Sequence, residues 1–62
     1  MKYKIGQNVI CEPNERINGF YLKKQEFLAT IIDIVGDFYI CEDQDSNVFE
    51  LDENEVELNN KN

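Results

Sequence analysis

The sequence predicts an all-β domain, and two features carry that expectation. Apolar, β-branched and aromatic residues come in short runs, and turn-forming residues interrupt them about every eight to twelve positions. A chain of 62 residues buries only about 60% of the surface it exposes when unfolded, which suffices for one small core. The expected unit is therefore a single domain over 1–58, with 59–62 as a tail that frays because it has nothing to bury.

The first strand, over 8–12, follows a turn containing Gly6 and stops at Pro13, which cannot donate to a ladder. Residues 14–25 form a long ordered loop in which Asn18-Gly19 is a turn signal inside a polar stretch that holds Phe20, Tyr21 and Leu22. The strand over 26–35 is the strongest in the chain. Thr30, Ile31, Ile32, Ile34 and Val35 are all β-branched, and Asp33 marks its wet face. Gly36-Asp37 supplies the positive φ that a two-residue hairpin loop demands, so 38–42 returns as the next strand. Residues 43–47 make a second turn, and 48–51 alternate so that Phe49 and Leu51 share a face. Asp52 and Glu55 have the spacing of a capping box, with room for one helical turn. Val56 and Leu58 then point inward from a short last strand.

This order of strand, long loop, three-strand meander, helical turn and short strand resembles the SH3-like small barrels, including Tudor and KOW-type domains. The resemblance rests on Ile5-Gly6-Gln7-Asn8-Val9, on Ala29-Thr30-Ile31-Ile32, and on Phe38-Tyr39-Ile40 to Val48-Phe49-Glu50 across the second turn. It implies a five-stranded SH3-like barrel, a closure that removes most unpaired edges from a domain too small to protect them otherwise. Ser46-Asn47 stands where many such domains carry Asp-Gly. The resemblance also implies a binding groove between the long first loop and the later hairpin turns, which selects Phe20, Tyr21 and Tyr39. In Tudor domains such rings cage methylated cations. Phe27, Phe38 and Phe49 are expected inside, and only one of Phe38 and Tyr39 can be internal, because neighbours on a strand face opposite ways.

Chemistry is restricted by what the chain lacks. With no histidine, neither Cys11, Cys41 nor Ser46 has its usual activating base. Paired carboxylates need a partly desolvated cleft before they act as acid and base, and one small barrel rarely provides it. The expectation is a non-enzymatic protein. Asp43, Asp45 and Asn47 copy the first half of an EF-hand loop, but Val48 occupies the glycine position and Asn54 that of the bidentate glutamate. They read as hairpin residues. Two cysteines fall short of a structural zinc set and of a disulfide framework, so they are expected as reduced thiols in strands. No metal or cofactor is expected. Apolar runs as short as those in this chain cannot cross a bilayer, and no hydrophobic signal region follows Lys2 and Lys4, so the expected location is cytoplasmic.

Charge is the most unusual property. Against 6 basic residues stand 13 acidic ones, for a formal net charge of −7. Residues 1–24 are net +3 and residues 25–62 net −10, which predicts a bipolar molecule. Residues 42–57 hold eight carboxylates and no base. Two on one strand face sit about 6.8 Å apart, a density comparable with a nucleic-acid backbone. Glu42, Asp43, Asp45, Glu50, Asp52 and Glu53 are therefore the candidate contacts for a partner protein with a basic surface, in the manner of an acidic decoy or phage-type inhibitor of a nucleic-acid-binding protein. The alternative is a KOW-like RNA- or DNA-binding, ribosome- or transcription-associated module in which Arg16, Lys23 and Lys24 gather beside Phe20 and Tyr21. The net charge opposes that alternative, because nucleic-acid affinity comes largely from cations displacing counterions. Abundant Asn, Ile, Lys and Glu fit an A/T-rich coding sequence, as in a low-GC bacterium or its phage.

Overall fold

A computed structural model describes residues 2–12 and 26–59. The candidates Arg16, Phe20, Tyr21, Lys23 and Lys24 lie outside the described residues. Five strands appear in chain order: β1 (Asn8–Cys11), β2 (Phe27–Val35), β3 (Phe38–Glu42), β4 (Val48–Asp52) and β5 (Val56–Leu58). A single 3-10 turn, Glu53–Glu55, joins the last two. All pair antiparallel in one sheet of order β4-β3-β2-β1-β5. Among the described residues no helix is long and apolar enough to cross a membrane.

The turns obey local chemistry. Gly6 takes φ 96°, which lets Gln7 donate to the Lys4 carbonyl (3.1 Å) while Gly6 itself donates to the Ile31 carbonyl (2.7 Å). Val35 pairs with Phe38, so the β2–β3 loop has two residues. Of these only Gly36 has positive φ, at 59°, the φ pattern of a II′ turn. The β3–β4 loop is longer, and Asp43 organises it. Its carboxylate accepts from the amides of Asp45 and Asn47, both at 2.9 Å, and from the Asn47 side chain at 3.2 Å. Ser46 occupies the left-handed region at φ 67°, a conformation that side chains other than glycine adopt at a cost. After β4 the capping box forms in full: Asp52 accepts from the Asn54 amide (2.9 Å) and Glu55 accepts from the Asp52 amide (3.0 Å).

The core lies on one side of the sheet and draws on every strand: Val9, Cys11, Ala29, Ile31, Tyr39, Cys41, Leu51 and Val56. Strict alternation from Phe27 would place Asp33 among them. A bulge prevents it, because Ile31 faces Cys41 but Asp33 faces Ile40, leaving Ile32 as an extra residue. Asp33 is thereby exposed, as the sequence predicts, and Ile34 packs against the core.

Among the described residues no second layer covers this core, and the sheet curls around it. The thiols measure the curl. Cys11 on β1 lies opposite Phe27 and Cys41 on β3 opposite Ile31, so across a flat sheet they would be about 16 Å apart. Instead the Cys11 thiol hydrogen-bonds to Cys41, and both are fully buried and unbridged. The barrel expected from the sequence is nevertheless not closed by hydrogen bonds. Among the described residues β4 and β5 do not pair, because the chain passes between them through the 3-10 turn and β5 is spent on β1.

Asn59, assigned to the tail by sequence, still donates to the Asn8 carbonyl at 3.1 Å. The expectation that Phe38 is internal and Tyr39 lines a groove is corrected. Tyr39 is fully buried whereas Phe38 is 37% exposed. The phase of β3 decides it, since Tyr39 shares its face with Cys41 and Phe38 shares its face with Ile40 and Glu42.

Candidate protein-binding face

The outer side of the sheet is set by the same alternation that builds the core. On β4 the outward residues are Val48, Glu50 and Asp52, and on β3 they are Phe38, Ile40 and Glu42. Register interleaves them: Asp52 lies opposite Phe38, Glu50 opposite Ile40 and Val48 opposite Glu42. Asp33 on β2 flanks Ile40 from the other side. Each carboxylate therefore neighbours an apolar side chain, and Val48, at 57% exposed, has Glu42 across from it.

The six sequence-selected carboxylates do not act alike. Glu42, Glu50 and Asp52 share the outer face, although Asp52 also caps the 3-10 turn. Asp43 is engaged by its own turn, and Asp45 is exposed beside it. Glu53 is turned toward the N-terminal segment, where its Oε2 accepts from the Lys2 amide (3.0 Å) and the Tyr39 hydroxyl (3.4 Å). That hydroxyl in turn accepts from the Tyr3 amide at 2.9 Å. Glu55 is 1% exposed and so contributes nothing to the surface.

The N-terminal tether also modifies the bipolar expectation. Lys2 and Lys4 are the only basic side chains among the described residues, and the Lys2 backbone is bound to the acidic 3-10 turn. Lys2 Nζ sits 5.6 Å from the centre of the Tyr3 ring. Among the described residues, positive charge therefore borders the acidic segment.

A second acidic group was not anticipated. Glu12 and Glu26 leave β1 and enter β2 side by side. A hydrogen bond that the protonated Glu12 donates to Glu26, the charge of Glu26, slight desolvation and the charge of Glu57 together raise the Glu12 carboxyl above the ordinary range. The sequence signal was the register itself, since continuing the β1–β2 ladder past Cys11 and Phe27 brings these two together.

No protein-family model, curated protein or solved structure matches this chain.

Proposed function

We propose that the chain is a non-enzymatic cytoplasmic module, an SH3-like small barrel, that binds another protein through its acidic outer face. The observation that carries this reading is the placement of Glu42, Glu50 and Asp52 beside exposed Val48 and Phe38 on β3 and β4. Charges so placed attract and orient a cationic partner, while the apolar neighbours offer area to bury on contact. The strand order and the 3-10 turn before β5 support the SH3-like assignment. The anionic density suits a decoy that occupies a site built for nucleic-acid phosphates.

The test is a pull-down from the source organism with mass spectrometry, run with the wild-type chain and with Glu50→Lys/Asp52→Lys. A basic protein retained at low salt, and bound about tenfold or more weakly by the variant, is the expected result. Equal retention by both proteins would overturn the proposal. Binding of a single-stranded oligonucleotide in place of any basic protein would favour the alternative that uses Arg16, Lys23 and Lys24.

A further inference from the structure

The outer face does not end at β3. Beyond Glu42 it continues over β2 and β1 into a shallow depression around Leu28, which is 50% exposed although it sits in the middle of the sheet. Ile10 pairs with Leu28 across the ladder, and Phe27 borders the depression. Among the described residues every ionisable side chain lining it is a carboxylate: Glu26, Glu42, Asp43 and Asp45. Glu57 adds another from β5, opposite Ile10.

An apolar floor whose described charged rim is anionic selects its occupant. A second copy of the chain would bring carboxylates against carboxylates, and its net charge of −7 opposes self-association. A neutral apolar ligand would leave the ring unused. We infer that the Leu28 depression receives a peptide segment of the partner in which one apolar side chain is flanked by lysines or arginines. The apolar side chain covers Leu28 and Ile10, and the flanking cations meet the rim. This rests on the proposed function, and it adds where a partner docks and what its sequence must contain.

Two labelled peptides test it, Lys-Lys-Leu-Lys-Lys and Lys-Lys-Ser-Lys-Lys, titrated by fluorescence anisotropy at low salt against the wild type, Leu28→Ser and Glu50→Lys/Asp52→Lys. Leu28 is surface-exposed, so its replacement leaves the fold intact, which circular dichroism checks. The wild type is expected to bind the leucine peptide about five- to tenfold more tightly than the serine peptide, the gain from covering a half-exposed leucine. Leu28→Ser should abolish that preference while keeping salt-sensitive binding of both peptides. The charge reversal should weaken both together. Equal binding of the two peptides by the wild type, or a preference that survives Leu28→Ser, would overturn the docking site while leaving the acidic-face reading standing. Unchanged binding of both peptides by the charge reversal would instead overturn that reading. Concentration-dependent dimers that Leu28→Ser dissolves, seen by sedimentation, would assign the depression to a second copy and overturn the inference.

Discussion

Replacing Tyr39 with phenylalanine removes one oxygen from the interior. That oxygen accepts from the Tyr3 amide at 2.9 Å and donates to Glu53 at 3.4 Å, on a side chain with no exposed surface. The ring still fills its place, so no cavity forms. What changes is that a part-buried amide loses its acceptor, which costs about 1–2 kcal/mol. A chain of 62 residues has roughly 3–9 kcal/mol of total stability, so the loss is a large fraction. In a domain this small it lowers Tm by about 5–15 °C. Urea denaturation followed by circular dichroism measures the free energy, and hydrogen exchange at the Tyr3 amide locates it. Faster exchange at Tyr3, together with the lost stability, is the expected pair of results. Stability within about 0.3 kcal/mol of wild type with unchanged Tyr3 exchange would refute the tether. Phe38→Ser is the control, because a side chain already over a third exposed should cost less than about 1 kcal/mol.

Three further outcomes follow from the turns and the thiols. Ser46→Gly should stabilise the chain by roughly 0.5–1 kcal/mol, since Ser46 holds φ 67° and glycine removes that strain; a lower urea midpoint would contradict it. Asp43→Ala should cost about 1–2 kcal/mol by stripping three hydrogen bonds from the second turn, and Asp43→Asn, which keeps one carbonyl oxygen, should cost less in the same denaturation series. Cys11 holds its proton above the ordinary thiol value, about 9, because it donates to Cys41, is buried, and feels the charges of Cys41 and Glu55; Cys41, receiving that bond, is drawn downward. The unfolded chain gives up the Cys11 proton near pH 9 while the folded chain keeps it, so this contribution is complete at lower pH and shrinks as pH rises past that value. The lowered Cys41 acts in the opposite sense below about pH 9, so the comparison belongs above it: Tm measured from about pH 9 to 11 should fall less steeply in Cys11→Ala/Cys41→Ala than in the wild type.

Much of the fold is legible in short-range chemistry. Gly36-Asp37 specifies a hairpin because two residues must reverse the chain, and Asp52 with Glu55 specifies a capped turn because the two side chains satisfy each other's amides. The strand interiors are legible wherever one face is plainly apolar, as for Phe49 and Leu51. Phe38 and Tyr39 are harder, since both are aromatic and local pattern does not choose between them. A signal did exist, because cysteine is among the most buried residue types and an inward Cys41 places Tyr39 inside with it. The bulge at Ile32 is hidden in a run of β-branched residues where no glycine or proline marks it. The candidate site was legible as composition but not as geometry. Glu42, Glu50 and Asp52 share a face, whereas Glu53 and Glu55 are claimed by the N-terminal tether and the cap, contacts that depend on residues distant in sequence or on burial.

Removing Ile32 would leave its neighbours facing as they do now, with Ile31 inward, Asp33 outward and Ile34 inward. What that residue supplies is therefore arc length: β2 carries one more step than β3 over the same span, and a ribbon longer along one border must bow toward the other. The protein in this sense writes its concavity as an inequality between two counts, and with it the described strands, a single layer, curl around a shared interior.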